Sequence, residues 1–326
     1  MSQLPAPTDA GAPRFLWALA RRRRSEGVAD PSDTFRALRR RYGLSALVAS
    51  AGAALLLAAC GSPESTSTTT TSASAAASAC TKANLPTFAK GVLTVATDSP
   101  AYPPYFENNK PSNGQGFESA VAYAVAAKLG FTPSAVKWVV EHFNESYAPG
   151  PKAFDFDINE ISITPQRAQQ VDFSTPYYTN PQGIIVENSS PYAHAKSLAA
   201  LKGALFGVQI GTTSLQAVTA EIHPTKQPDV FNNSNDVVTA LKIGRVQAIV
   251  VDLATAFDLT STVLSHTTIV GQFNAPGGDN WGLLLSLHSR MTSCVDRAVN
   301  ALRANGTLAA LSNRWIASAA SVPVLR

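Results

Sequence analysis

The alternation of short apolar runs with helical patterns constrains the fold of this chain most strongly. Phe117–Leu129 carries apolar side chains at four-residue spacing and ends at Gly130, a residue that commonly follows a helix. Such alternation is typical of α/β architecture with mainly parallel strands. Periodicity alone leaves open one large sheet or two lobes. The expected strands are Leu93–Thr97, Val136–Val140, Phe156–Ile163, Ala204–Gln209, Ala248–Val251 and Trp281–Leu287.

The basic charge of the chain comes from its first 60 residues. The whole chain has 26 Lys+Arg and 22 Asp+Glu, and residues 1–60 hold nine Arg against four acidic residues. The remainder is nearly neutral, which argues against a nucleic-acid partner for the folded part. With 45% hydrophobic residues, the chain has enough apolar material for one or two buried cores.

Residues 1–59 are predicted to be a leader with a secretory signal. Arg39–Arg41 precedes the uncharged apolar run Leu44–Ala59, which as a helix rises only about 24 Å, short of a hydrocarbon core of about 30 Å. The sequence Leu57–Ser62 is similar to a bacterial lipobox, which implies that Cys60 is lipidated after cleavage. The alternative is an uncleaved anchor. Residues 60–84 are rich in Ser, Thr and Ala and are predicted to be a tether outside the membrane.

Two further cysteines follow Cys60 in the sequence. In an oxidising exterior, two such thiols most often pair, so a Cys80–Cys294 disulfide is expected. The alternative is two unpaired thiols, one exposed and one packed inside the protein.

The stretch from Asp155 to Arg167 carries the most chemistry. A strand to Ile163, followed by Thr164 as N-cap and Pro165 in the first turn, predicts a strand-to-helix turn with free backbone N–H groups. Such a turn attracts an anion, and the guanidinium of Arg167 can donate two parallel hydrogen bonds to a carboxylate.

Three side chains of the expected strand share one face. Glu160, Ser162 and Thr164 alternate with apolar residues, so their side chains are predicted to point the same way. One carboxylate, two hydroxyls and a guanidinium at one point suit a small zwitterion. The alternative is that Arg167 and Glu160 simply form a structural ion pair.

These residues resemble the solute-binding proteins of bacterial ABC importers for amino acids. The resemblance covers nearly all of residues 91–316, and its strength lies in the order of the motifs along the chain. The matching motifs are Leu93–Asp98 with Tyr102 and Pro104, Gly116–Glu118, Ser162–Arg167, Val171–Tyr178, Gly207–Thr213, Val250–Asp252 and Ala304–Trp315.

The resemblance implies a type II periplasmic-binding fold, in which two α/β lobes are joined by two hinge strands and enclose the ligand between them. The first lobe would comprise residues 85–179 plus 284–326, and the second residues 184–279. The hinges would lie near Tyr178–Gly183 and Asp279–Gly282.

The resemblance also implies roles for single residues. Arg167, Thr164 and Thr213 would hold the α-carboxylate of an amino acid, and Asp252 would hold its ammonium group. Glu160 departs from the family pattern, and the spacing leaves open whether Tyr102 or Tyr105 stacks on the ligand. The full set of expected ligand contacts is Asp98, Tyr102, Phe143, Glu160, Ser162, Thr164, Arg167, Thr213 and Asp252.

The function implied is that of a lipid-anchored, monomeric binding protein outside the cell membrane. It would capture a polar or cationic amino acid, or a similar small zwitterion, and deliver it to ABC permease subunits. No cofactor or metal is expected, because the five histidines lack ligand spacing. The alternative is a dehydratase on the same fold, with Glu160 as general acid for a small carboxylic acid.

Overall fold

The computed structural model describes residues 80–316 and 321–326. The leader, the predicted lipidation site Cys60 and most of the tether lie outside the described residues. Within the described ranges, none of the helices combines the length and the apolar character needed to cross a membrane.

The described chain alternates strands and helices. The strands are β1 (Leu93–Thr97), β2 (Val136–Val140), β3 (Phe156–Asp157), β4 (Val171–Phe173), β5 (Tyr178–Thr179), β6 (Gln182–Glu187), β7 (Phe206–Gln209), β8 (Asp229–Phe231), β9 (Ala248–Asp252), β10 (Thr267–Phe273), β11 (Asn280–Trp281) and β12 (Leu284–Ser286). The α-helices are α1 (Phe117–Lys128), α2 (Phe143–Ser146), α3 (Thr213–Ala217), α4 (Ser234–Lys242), α5 (Leu253–Asp258), α6 (Thr292–Ala304) and α7 (Thr307–Trp315).

Two five-stranded sheets organise the chain into two lobes. The first has the order β2-β1-β3-β12-β4, and the second has the order β10-β6-β9-β7-β8. In each sheet three neighbouring strands at one edge run parallel: β1 with β2 and β3, and β7 with β8 and β9. Strand β1 is buried along its whole length beneath α1, which buries Val121 and Val125 completely.

Two short strands connect the lobes. Strand β5 pairs antiparallel with β11, so that Tyr178 lies opposite Trp281. Trp281 is fully buried and packs against Tyr105 with ring centroids 5.4 Å apart. The two-lobe α/β architecture with two crossing strands, implied by the resemblance, is confirmed.

Cys80 and Cys294 form a disulfide, as predicted, with their Cα atoms 5.4 Å apart. Cys294 lies on α6 and is buried in the first-lobe core, and Cys80 packs against the same core. The bond therefore fixes the beginning of the described chain to a helix that is 214 residues away.

The prediction of one continuous strand from Phe156 to Ile163 is wrong. Strand β3 ends at Asp157, and Glu160 has a φ of 50°, in the left-handed region that no extended strand contains. The N–H of Glu160 donates to Glu118 Oε1 at 2.7 Å, which holds this turn in place. The shared strand face predicted for Glu160, Ser162 and Thr164 therefore does not exist.

The helix expected to begin at Thr164 and Pro165 is also absent. A single 3₁₀ turn, Arg167–Gln169, follows instead. Thr164 still acts as a cap, because its Oγ1 accepts the N–H of Arg167 at 3.2 Å. One such turn lacks the aligned dipoles of a longer helix, so the helix dipole contributes less to anion binding than the sequence predicts, and the anion site stays a prediction.

The strand expected from Trp281 to Leu287 is divided between β11 and β12. Ser174 causes the break, because its N–H donates to Leu283 O at 2.8 Å and its hydroxyl accepts the N–H of Leu283 at 2.9 Å. These bonds replace regular ladder pairing at that point.

The C-terminal residues lie against the second lobe, whereas the sequence assigned residues up to 326 to the first. Leu325 is buried in the second-lobe core, and its N–H donates to Gln272 O on β10 at 2.8 Å. Gln272 in turn donates from its own N–H to Pro323 O at 2.8 Å. This part of the assignment is wrong, and the other lobe boundaries stay predictions.

Candidate ligand-binding site

A cavity of about 470 Å³ lies between the two lobes. The first lobe supplies the loop after β1 and the turn after β3, and the second supplies the chain ends after β7 and β9 and the first turn of α4. Seven of the nine predicted ligand contacts line this cavity, and Thr164 and Arg167 do not. The seven are Asp98, Tyr102, Phe143, Glu160, Ser162, Thr213 and Asp252.

Arg167 is buried beside the cavity and donates to backbone oxygens. Its Nη1 donates to Ser162 O at 2.7 Å and its Nη2 to Gly211 O at 3.0 Å, so that the guanidinium connects the two lobes. Its Cζ lies 4.4 Å from the ring centroid of Tyr147 and 5.2 Å from that of Phe143. Burial lowers the pKa of Arg167 below its ordinary value. The structure contains no Arg167–Glu160 hydrogen bond or ion pair between the described side chains.

Asp252 lies at the end of β9 and is held by two amides. Asn180 Nδ2 donates to Asp252 Oδ1 at 2.8 Å, and Gln182 Nε2 donates to the same oxygen at 3.1 Å. Burial, and then the neighbouring Asp279, raises the pKa of Asp252 well above its ordinary value. A carboxylate in this position can accept the hydrogens of an ammonium group.

Asp279 is a buried acid that the sequence analysis placed at a hinge but not at the site. Its side chain is only 1% exposed and accepts hydrogen bonds from Ser162 Oγ, Gln182 Nε2 and, at 3.3 Å, Thr213 Oγ1. It thus joins a first-lobe turn, the first residue of β6 in the second-lobe sheet and the start of α3. Burial raises the pKa of Asp279, whereas these donors act to lower it. The sequence signal for this position is the Gly277-Gly278 turn directly before it, which marks a change of chain direction at Asp279.

Two carboxyl groups meet at the cavity wall: Glu160, which is half-buried and lines the cavity, and Glu118 behind it. Glu118, at the start of α1, is fully buried, and its Oε1 also accepts a hydrogen bond from the Tyr177 hydroxyl. Burial raises the pKa of Glu118 to about 7. Burial, and then the adjacent Glu118, raises the pKa of Glu160 well above its ordinary value.

Asp98 forms an acidic edge of the cavity in the loop after β1. Its Oδ1 lies 2.9 Å from His142 Nδ1, and its Oδ2 accepts the N–H of Phe143 at 3.3 Å. Hydrogen bonding to Asp98 raises the pKa of His142 above its ordinary value. The carboxylate thereby also fixes the start of the short helix α2, which carries Phe143.

The structure separates the roles of Tyr102 and Tyr105. Tyr102 lines the cavity and is 38% exposed, whereas Tyr105 is fully buried. The Tyr105 hydroxyl lies 3.1 Å from Thr255 Oγ1, and its ring packs on Trp281 in the hinge. Of the two rings, therefore, only Tyr102 lies where it could contact a ligand.

Carboxyl groups dominate the charge of the cavity. Among the residues that line it are five acids and neither Lys nor Arg; the acids are Asp98, Glu107, Glu160, Asp252 and Asp258. Within the described ranges, no three His, Cys, Asp or Glu side chains are grouped so as to hold a metal ion. The five carboxyl groups favour a ligand that carries positive charge.

Comparison with known proteins gives the family. The chain is 26% identical over 222 residues to ABC transporter arginine-binding protein 1 of Escherichia coli K12, covering 67% of this chain and 88% of that protein. An ancestral arginine-binding protein bound to glutamine superposes with a TM-score of 0.59 and 29% identity, covering 70% of this chain and 98% of that one.

A second solved structure bears on the enzymatic alternative. It is an ancestral amino-acid-binding protein described as a precursor of cyclohexadienyl dehydratase, with a TM-score of 0.56 and 26% identity, covering 69% of this chain and 95% of that one. The profile of the bacterial extracellular solute-binding proteins, family 3, matches residues 93–318. The chain belongs to this family and has its type II periplasmic-binding fold.

Proposed function

We propose that this protein is the extracytoplasmic substrate-binding protein of an amino-acid ABC importer, and that it captures a polar or cationic amino acid. The acidic lining of the cavity supports this proposal most directly. The similarity to an arginine-binding protein of an ABC transporter points in the same direction.

The charge of the cavity favours a ligand with a positively charged side chain over an acidic one. Asp98 and Asp252 lie in its lining together with Asp258, and the buried guanidinium of Arg167 already donates to two carbonyl oxygens. These carboxylates are half-buried, and only Asp98 faces a group that can carry positive charge, His142. Partly desolvated carboxylates without Lys or Arg in the lining repel one another, and a cationic ligand offsets that charge. An acidic ligand would add to the repulsion.

Titration calorimetry of the purified protein with arginine, histidine, glutamine and glutamate tests this preference. We expect arginine or histidine to bind at least tenfold more tightly than glutamate, which is about 1.4 kcal/mol. Asp252→Asn should weaken arginine binding by about ten- to a hundredfold, because it removes a charged hydrogen-bond acceptor. Glu221→Gln, an exposed carboxyl of the second lobe, is the matched control. Tightest binding to glutamate would contradict the proposal.

The location and partners form the second part of the proposal. Lipidation of Cys60 would anchor the protein, and residues 60–84 would let a single copy meet the permease subunits. Metabolic labelling with a fatty-acid analogue should mark the wild-type chain and not Cys60→Ser. Label that persists in the variant would refute the anchor.

A dehydratase is the second candidate, and the raised pKa of Glu160 favours it. Burial and the adjacent Glu118 raise this pKa, and a carboxyl group with a raised pKa is suited to the role of a general acid. Incubation with a cyclic carboxylic acid followed by product analysis distinguishes the two functions. A product that disappears in Glu160→Gln would support catalysis, whereas an unchanged amino acid with a reversible melting shift supports binding.

A further inference from the structure

The carboxyl groups of Glu118 and Glu160 hydrogen-bond to each other at the cavity wall. Glu118 lies at the start of α1, and Glu160 lies in the turn after β3. An ionised carboxylate can only accept a hydrogen bond, so one member of the pair has to carry a proton. Because the two groups interact, this proton belongs to the pair and not to either residue alone.

The fold holds the two carboxyl groups together. Glu118 Oε1 accepts the N–H of Glu160 at 2.7 Å and the hydroxyl hydrogen of Tyr177. Among the described residues, no N–H or hydroxyl donor reaches Glu118 Oε2, which is buried. A proton held by the pair can supply the hydrogen that this oxygen lacks. Glu118 is fully buried and Glu160 lines the cavity, so the proton lies between the protein interior and the ligand.

The groups that surround the pair are acids and phenols. Arg167 lies near the turn, but its guanidinium donates to the carbonyl oxygens of Ser162 and Gly211. Protonation of the pair therefore limits the repulsion between the carboxyl groups in the free protein. The titratable neighbours are Asp252 at the end of β9, Asp98 and Tyr105 in the loop after β1, Tyr102 in the same loop, Asp157 at the end of β3, and Tyr177 before β5.

We infer that the Glu118–Glu160 pair is a proton site coupled to the ligand: it holds one proton in the free protein and releases it to solvent when the positive charge of the ligand arrives beside Glu160 and Asp252. The ammonium group of the ligand then offsets the negative charge that the proton offset before. Coupling of this kind is reciprocal, so the proton in turn weakens the binding of the ligand. The inference rests on the proposed function and adds the proton as a second ligand of the same site.

His142 is a second group that titrates near neutral pH at this cavity. Its imidazole is exposed and lies 2.9 Å from Asp98 Oδ1, and hydrogen bonding to Asp98 raises its pKa. A cationic ligand beside Asp98 could displace the proton of His142 instead. The experiment therefore has to separate the histidine from the carboxyl pair.

Titration calorimetry of the purified protein with arginine counts the released protons. The binding enthalpy is measured at about pH 6.5 in PIPES and in Bis-Tris, two buffers that take up protons with different enthalpies. Arginine keeps its charge at this pH, and glutamine, which does not titrate there either, replaces it if glutamine binds more tightly. We expect the release of about half to one proton and an affinity that rises up to about tenfold per pH unit between about pH 5.5 and 7. The same enthalpy in both buffers would overturn the inference.

Glu160→Gln removes the titrating group from the cavity wall. Its amide can still donate to Glu118, but the proton cannot be exchanged, so the release should be lost and the affinity should become nearly independent of pH. Two comparison variants should still release the proton: His142→Gln, which lacks the exposed imidazole, and Glu107→Gln, which lacks a lining carboxyl outside the pair. Release that is lost in His142→Gln and retained in Glu160→Gln would assign the proton to the histidine and refute the inference.

Glu118→Gln keeps the inference testable if Glu160→Gln does not fold. Its amide can donate to Glu160, which then stays ionised in the free protein, so the release should again be lost. Retained release in this variant would contradict the role of the pair. The outcomes also separate the two proposals. If none of the amino acids binds, the proposed function fails, whereas binding without proton release refutes this inference alone.

Discussion

Glu118 should make the stability of this protein depend on pH. Its carboxyl group is fully buried at the start of α1, and burial raises its pKa from 4.5 to about 7. Between these values the folded protein retains a proton that the unfolded chain releases, so stability falls as pH rises. The contribution is fully present below pH 4.5 and is lost through pH 7, with a size of about 3 kcal/mol.

Glu118→Gln isolates this contribution. The glutamine oxygen can still accept the hydrogen bonds from Tyr177 and from the N–H of Glu160, but the side chain no longer titrates. Replacing Glu118 also removes a charge that raises the pKa of Glu160, so both members of the pair contribute to the difference. We expect the free energy of unfolding of the variant to fall less than that of the wild type between pH 4.5 and 8.

Urea unfolding at a series of pH values provides the assay, with the slope of unfolding against urea checked for constancy. The charge of Glu118 also raises the pKa of Asp157, so the titration of Asp157 contributes to the difference as well. The pKa of the buried Asp155 is raised by burial and not by Glu118, so its titration occurs in both proteins and cancels in the comparison. Glu221→Gln serves as the exposed control and should follow the wild type. Parallel curves for the wild type and Glu118→Gln would refute the reasoning.

Three further predictions concern stability. The Cys80→Ser/Cys294→Ser double variant should lose up to about 5 kcal/mol, because the bond closes a loop of 214 residues; an unchanged melting temperature in both the variant and the reduced wild type would contradict this. Asp172→Ala should lower the free energy of unfolding, measured with urea, by about 2 kcal/mol. The reason is that the carboxylate accepts hydrogen bonds from the N–H groups of His288 and Ser289 and from Thr292 Oγ1. Asp172→Asn should retain part of these hydrogen bonds and lose less stability. Gly271→Ala should lower the free energy of unfolding by about 1–3 kcal/mol, because the Cβ of the new alanine would overlap the Leu325 side chain. The C-terminal residues should then be cleaved faster by carboxypeptidase, and unchanged sensitivity would speak against that contact.

Local patterns predicted some regular elements closely and missed others, such as β6 and β10. Strands β1 and β2 have the predicted bounds, and α1 ends one residue before its predicted end, with Gly130 at a φ of 86°. Periodic burial and a glycine at a helix end are properties of neighbouring residues, so a single sequence contains them. The disulfide was predictable for a different reason, because two cysteines remained in a chain with a secretory leader.

The turn after β3 was not predictable, because a distant residue determines it. The sequence from Phe156 to Ile163 alternates as a strand does, yet Glu118, 42 residues earlier, accepts the N–H of Glu160 and stabilises a left-handed conformation. Trp281 then pairs with Ser162 across the hinge. A strand pattern predicts which residues favour extension, and tertiary contacts determine where it stops.

Residue types at a binding site do not by themselves determine which ligand group they bind. Ser162 and Thr213 were predicted near the ligand, and they line the cavity. Ser162 Oγ donates to Asp279 Oδ1 and also lies 3.3 Å from Thr213 Oγ1, so its surroundings depend on a residue 117 positions later in the chain. A motif of neighbouring residues contains no information about such a contact. The sequence therefore predicts which residue types gather at the site, whereas the fold determines which polar groups remain available to a ligand.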